Sequence, residues 1–164
     1  VDTDSPIAVF AGAPNVGKSS LIGAVSSGKP EVKSYPFTTK AVSLGHIMKK
    51  YSVLQVMDTP GLLDRPDFER NDMEKQGIAA FDYLEPIIVF LMDKTATSGY
   101  SLEMQTSLRD ELKLRYPKCK WIDVCSKMDL DFEDEVDNEG AICVSAYKNE
   151  GIAEFRDILL ESIL

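Results

Sequence analysis

Basic residues are in short supply: 18 Lys and Arg stand against 27 Asp and Glu, for a formal net charge of −9. A chain of that sign repels phosphate backbones. That excludes direct DNA binding and any non-specific grip on RNA, leaving room only for local contacts. Cysteine is scarce as well, with Cys119, Cys125 and Cys143 the whole supply, and there is a single histidine. Zinc is the sharper alternative for these thiols, and the lack of a C-x-x-C pair and the single histidine argue against it. Three thiols in or beside apolar, strand-like segments predict core cysteines in a reducing compartment. No apolar run is long enough to span a bilayer, and the N-terminus lacks the order of a signal peptide, so the chain reads as soluble with no membrane partner. There are no internal repeats and no low-complexity tract. The 164 residues suit one domain with a full core. A start at Val1, only a few residues before the first apolar run, predicts a domain cut from a longer protein.

What is present is organised around Gly12-Ala13-Pro14-Asn15-Val16-Gly17-Lys18-Ser19, which fits G-x-x-x-x-G-K-[ST] without gap or substitution. Two glycines at that spacing let the backbone curl round an anion with its N–H groups inward. Lys18 adds a positive charge. Ser19 supplies a hydroxyl for magnesium where a helix begins, and the helix N-terminus also faces the phosphates. The run follows the apolar segment Ile7 to Ala11 and leads into a helix-like stretch, the order such a loop requires. Gly12, Pro14, Asn15, Val16, Gly17, Lys18, Ser19 and Ser20 are therefore the expected phosphate-binding residues.

Residues 6–11 read as a buried strand and Lys18 to about Val25 as a helix. Residues 26–39 read as a loop ending in Tyr35-Pro36-Phe37-Thr38-Thr39. A threonine hydroxyl arriving from a mobile loop suits magnesium beside a third phosphate, with Thr39 the first choice and Thr38 the second. Ala41 to Met48 and Tyr51 to Met57 read as a hairpin turning at Lys49-Lys50. The second run ends in Asp58-Thr59-Pro60-Gly61: the carboxylate can hold magnesium through a water, and the Gly61 N–H can approach a terminal phosphate. Residues 64–72 form a second polar loop before a helix from about Asn71 to Leu84, capped by Asn71 or Asp72. Pro86 to Met92 reads as a central parallel strand, Ser101 to about Tyr116 as a helix, and Cys119 to Cys125 as a strand in which Trp121 packs.

Ser126-Lys127-Met128-Asp129 follows that strand. Asp129 can accept both the ring N–H and the exocyclic amine of guanine, an edge adenine lacks, while the Lys127 stem can lie across the base. Ala141 to Val144 is the last strand. Ser145-Ala146 beyond it could present N–H groups to guanine O6. Asn149 to Leu164 reads as a final helix with Ile152, Phe155, Ile158, Leu159 and Ile163 on one stripe. The alternation predicts an α/β fold: a mostly parallel six-stranded sheet with one antiparallel edge strand, helices on both faces, and ligand beyond the carboxyl ends of the strands.

These residues resemble a small GTPase of the translation-factor type, and more narrowly the Obg-like group through Tyr35-Pro36-Phe37-Thr38-Thr39. Gly45-His46, Asp58 to Pro66, Glu69-Arg70-Asn71, Glu74-Lys75-Gln76 and Ser98-Gly99-Tyr100-Ser101 sharpen the match to the Nog family of nucleolar GTP-binding proteins, over nearly the whole chain. The resemblance implies a P-loop G domain binding GTP or GDP with Mg2+, in the nucleolus and nucleus. It also implies action on a preribosomal large-subunit particle contacted through regions outside this chain. Lys18, Thr39, Gly61 and Asn15 are then the residues expected at the reacting phosphate. Ser19, Thr39 and Asp58 are expected at the metal, and Ser126, Lys127, Asp129, Ser145, Ala146 and Tyr147 around the base.

Three positions qualify that expectation. Ser126 stands where Asn-Lys-x-Asp is usual, so amide contacts toward base and loop should be lost and affinity weakened. Tyr147 stands where lysine is common. Leu62 stands where Ras-like enzymes orient water with glutamine, so slow intrinsic turnover is expected. In related GTPases an asparagine placed like Asn15 helps hold potassium, which makes K+ a candidate aid; Arg65 and Arg70 are alternatives. A binding module with negligible turnover is the rival reading, supported by Leu62 and Ser126. An ATPase of similar fold is opposed by Asp129.

Overall fold

The computed structural model describes residues 6–33, 42–49, 51–58, 63–65, 69, 71–72, 74–76, 85–95, 98–127 and 141–163. They form seven strands, β1 (Ile7–Ala11), β2 (Glu31–Lys33), β3 (Val42–Lys49), β4 (Ser52–Asp58), β5 (Ile87–Met92), β6 (Trp121–Cys125) and β7 (Ile142–Cys143), with helices α1 (Lys18–Val25), α2 (Leu102–Arg115) and α3 (Ile152–Glu161). The sheet order is β2-β3-β4-β1-β5-β6-β7. Strands β4, β1, β5, β6 and β7 pair in parallel, and β3 is antiparallel to both its neighbours.

Strand β1 explains why the sheet is covered on both sides. Ala8 and Phe10 join one core cluster, with Leu21, Ile22 and Val25 of α1 and Phe155 and Leu159 of α3. Ile7, Val9 and Ala11 join the other, with Phe90 and with Leu108 and Leu112 of α2. A strand buried on both faces reads as a continuous apolar run. Phe10 and Phe155 meet edge to face at 6.0 Å, locking α3 onto the sheet.

The sheet exceeds the six strands expected because β2 lies inside the segment read as loop. It pairs at the edge through Glu31↔Leu44 and Lys33↔Val42. Val32 is 73% exposed, so β2 is held by backbone pairing and leaves no hydrophobic alternation in the sequence. The antiparallel strand β3 is thus one place in from the edge. Lys49 still pairs, with Ser52, so the hairpin turns one residue later than expected.

Helix α1 is stitched to β3. Ser27 N–H donates to His46 O at 2.7 Å, and Met48 N–H donates to Ser27 Oγ at 3.0 Å. A Cβ at Gly45 would stand 2.1 Å from Ser26 Oγ and 3.1 Å from Ser26 Cβ, so a side chain there would have to displace Ser26 at the helix end. Helix α2 is capped by Ser101, whose Oγ accepts from Met104 N–H at 3.1 Å. Asn71 and Glu74 cap each other's N–H groups at 2.8 and 3.1 Å, so of the two caps expected, Asn71 or Asp72, it is Asn71 that serves. Helix α3 begins at Ile152, later than expected, after Asn149 and Gly151 in left-handed conformation and a Ser145–Glu150 bridge. Trp121 stacks on Phe90 at 5.9 Å as a packing residue. The cysteines are less uniform than a core reading expects: Cys125 is buried, Cys119 half-buried and Cys143 exposed.

Candidate functional site

The carboxyl ends of the parallel strands place the site. The loop after β1 is centred there, Asp58 ends β4, Asp93 follows β5, Ser126 follows β6 and Ser145 lies just beyond β7. Gly12 has φ 141°, and a Cβ there would lie 2.6 Å from Leu91 O, so neither backbone nor space accepts a side chain. Gly17 caps α1 at φ 108° with no side-chain cap. The positive end of the helix therefore opens onto the loop. Val16 is fully buried and contributes only backbone. Lys18 is buried and its Nζ donates to Gly12 O and Ala13 O at 2.7 and 3.0 Å.

Ser19 Oγ donates to Asp58 Oδ2 at 2.8 Å. A hydroxyl and a carboxylate drawn together at a helix start form an oxygen-only donor set, which fits a hard divalent cation such as magnesium. Pro14, Asn15, Lys18, Ser19 and Asp58 line one cavity of about 460 Å³. A second, of about 400 Å³, lies between Ser126-Lys127 and Ala146-Tyr147, with Ser20 and Leu21 of α1 on its wall. Gly17, Ser20 and Lys127 belong to both, so the cavities adjoin as phosphate and base sites should.

Ser126 corrects part of its expectation. Its side chain keeps the tie to the phosphate loop, donating from Oγ to Val16 O at 2.6 Å. Lys127, at φ 57°, adds a second tie from Nζ to Asn15 O at 2.9 Å. Ser145 also departs from expectation: its N–H donates to Glu150 O at 2.9 Å and its Oγ accepts from Lys148 N–H, so its N–H is committed within the turn. Ala146 and the 89% exposed Tyr147 remain on the base cavity. Thr38, Thr39, Gly61, Leu62, Arg70 and Asp129 lie outside the described residues. Arg65 is described, and its Nε lies 3.3 Å from Asp64 Oδ1.

Two carboxylates escaped the sequence reading. Asp64, 5% exposed, lines the phosphate cavity, and its backbone is fixed where Gly12 N–H donates to Leu63 O at 3.1 Å. Asp93, buried, accepts from Lys127 Nζ at 3.1 Å, from Thr95 and from Ser98 N–H. Burial pushes the Asp93 carboxyl up, but the Thr95 hydroxyl, Lys127 and the Thr95 N–H outweigh it, leaving the group below the usual carboxylate value. Gln105 braces the same turn, accepting from Asp93 N–H and donating to Asp93 O at 2.7 and 2.8 Å. Asp93 could have been found by the logic used for Asp58, since it too ends an apolar strand.

The model of the 50S ribosome-binding GTPase family matches residues 7–122. An uncharacterised protein of Methanocaldococcus jannaschii is 44% identical over 81% of this chain and 37% of its own length. Nucleolar GTP-binding protein 1 of Arabidopsis thaliana is 34% identical over 93% of this chain and 23% of its own length. The chain thus spans well under half of these relatives. Among solved structures, a nucleolar GTP-binding protein 1 from Plasmodium falciparum superposes with a TM-score of 0.83 at 27% identity, covering 99% of this chain and 87% of that one. The G domain of the Thermotoga maritima FeoB iron transporter shares the fold, with a TM-score of 0.72 at 22% identity over 98% and 99% of the two chains. With the phosphate loop, the Ser19–Asp58 pair and the adjoining base cavity in the places such a domain needs them, the chain belongs to the 50S ribosome-binding GTPase family and resembles its nucleolar GTP-binding members.

Proposed function

We propose that the chain is the GTP-binding domain of a longer protein, a switch with slow hydrolysis of its own that acts in assembly of the large ribosomal subunit. The observation that carries the nucleotide chemistry is the Ser19–Asp58 contact of 2.8 Å beside the buried Lys18, at the mouth of the phosphate cavity. Ser19 and Asp58, with Thr39, would hold magnesium, which when bound offsets charge building on the phosphate oxygens. Lys18 brings positive charge to the same oxygens. Gly61 and Thr39 would report a third phosphate, while Ser126, Lys127 and Asp129 orient the base. Leu62 offers the attacking water no hydrogen bond, so a cation or partner completes the site. Potassium held by Asn15, which lines the phosphate cavity, is one such aid; hydrolysis at equal rates in potassium and sodium would remove it.

The names of the Arabidopsis and Plasmodium relatives support a nucleolar, hence nuclear, setting, and the ribosome-binding description of the family supports a preribosomal large-subunit particle as partner. The decisive experiment is single-turnover hydrolysis of GTP with and without preribosomal large-subunit particles, beside calorimetric binding of GTP and ATP. We expect GTP to bind far more tightly than ATP, hydrolysis alone at about the unassisted Ras rate of 10⁻⁴ s⁻¹ or below, and stimulation by particles. Equal affinity for ATP overturns the guanine reading; no turnover under either condition leaves the structural-nucleotide module in its place.

A further inference from the structure

Among the described residues, helix α2 lines neither cavity of the nucleotide site. One of its side chains nevertheless reaches the turn that holds the site's lysine. Gln105 is fully buried, and its amide uses both of its ends. Asp93 N–H donates to Gln105 Oε1 at 2.7 Å, while Gln105 Nε2 donates to Asp93 O at 2.8 Å and to Tyr100 O at 3.1 Å. A side chain that pairs with both the N–H and the C=O of one residue fixes that residue as a neighbouring strand would. A side-chain amide supplies donor and acceptor together; a carboxylate or thioether of similar length does not. The residue so fixed is the one that holds Lys127. Asp93 Oδ2 accepts from Lys127 Nζ at 3.1 Å and from Ser98 N–H at 3.0 Å, and Lys127 Nζ donates in turn to Asn15 O of the phosphate loop at 2.9 Å. Gln105, Asp93 and Lys127 thus lead by consecutive hydrogen bonds from the helix to the loop.

We propose that Gln105 is a positioning residue for the nucleotide: by fixing Asp93 it aims the Lys127 ammonium at Asn15 O, and so sets how long a guanine nucleotide stays bound. Hydrogen bonds weaken steeply as their distance and angle depart from the optimum. A turn free to shift would leave Lys127 Nζ straining between Asp93 and Asn15. The phosphate loop would then keep one side-chain tie, from Ser126 Oγ to Val16 O, in place of two. Gln105→Glu isolates the role. It keeps the shape and the acceptor for Asp93 N–H but loses both donated bonds, and it brings a carboxylate up to the carbonyls of Asp93 and Tyr100. The effect on nucleotide rests on the guanine-nucleotide reading of the site; the chain of bonds does not.

The test is stopped-flow release of a fluorescent GDP, chased with excess unlabelled GDP, beside urea unfolding of each protein. Wild type, Gln105→Glu, Lys127→Met and the double variant make a cycle, and Gln105→Met, uncharged and of similar length, stands in if Gln105→Glu does not fold. Either change at Gln105 should speed release about tenfold. Lys127→Met should speed it as well, and in that background the Gln105 change should add less than about twofold, because the link it acts through is already gone. Equal acceleration in both backgrounds, which general loosening of the core would give, overturns the proposal. Release at the wild-type rate from the Gln105 variants does the same. A wild-type chain that takes up no fluorescent GDP sinks the nucleotide reading and this inference together; one that binds GDP but releases it without regard to Gln105 sinks the inference alone.

Discussion

Ser126→Ala is expected to cost about 1–2 kcal/mol in stability and to weaken GDP binding severalfold, because Val16 O loses the donor 2.6 Å away that pins the phosphate loop. Urea unfolding and a fluorescent-GDP titration read the two effects separately. Asp93→Ala should cost more, about 2–4 kcal/mol: it removes the acceptor for Lys127, Thr95 and Ser98 and leaves a half-buried ammonium with less compensation. Affinity should fall with it, since Lys127 is the other tie to the loop. At this scale the sequence was an uneven guide. Glycine and lysine of the loop were legible because their chemistry is written in a fixed spacing. Asp64 was not, because what makes it matter is burial, and nothing in a string of polar residues says which carboxylate turns inward; Asp93, at the end of an apolar strand, was legible by the same logic as Asp58 and was missed. Ser126 was legible as a departure from pattern. Its retained bond to Val16, 110 positions away, belongs only to the folded chain.

Elements explain the rest. Strands buried on both faces, β1 and β5, announce themselves as apolar runs, and helix α2 lies within a residue of the bounds read for it at each end. Strand β2 does not, since an exposed three-residue edge strand satisfies backbone groups without burying a side-chain face. The contact between α1 and β3 makes a prediction of its own. Gly45→Ala would place a methyl 2.1 Å from Ser26 Oγ and 3.2 Å from Val56 Cγ2. Prising the helix end from the strand should cost about 1–3 kcal/mol. Adding Ser26→Gly should recover part of that loss, and a double-mutant cycle by thermal unfolding measures the coupling; strictly additive losses would mean the two do not meet.

For the molecule as a whole, pH is the accessible lever. Burial pushes the carboxyls of both Asp93 and Asp123 up. For Asp93 the Thr95 hydroxyl and Lys127 more than reverse this, and for Asp123 Arg109 and the Trp121 N–H do so, leaving both below the ordinary carboxylate value. A folded-state pKa below the unfolded one adds stability that is complete above the unfolded value and is lost as pH falls through the folded one. Stability should therefore be flat at neutral pH and drop below about pH 4. In Asp93→Asn the drop should be shallower, from a lower plateau, which urea midpoints across that range would show.

Helix α1 is gripped at both ends: its first residues border the phosphate and base cavities, and the residues just past its last turn are bonded to the backbone of β3. A rod clamped at one end can swallow a displacement by swinging; one clamped at both must pass it on. The strand at the far clamp begins three residues after Thr39 in the chain. On the proposed reading, in which Thr39 meets a third phosphate, a pull on that strand has a direct route back along α1 to the loop proposed to hold the other two.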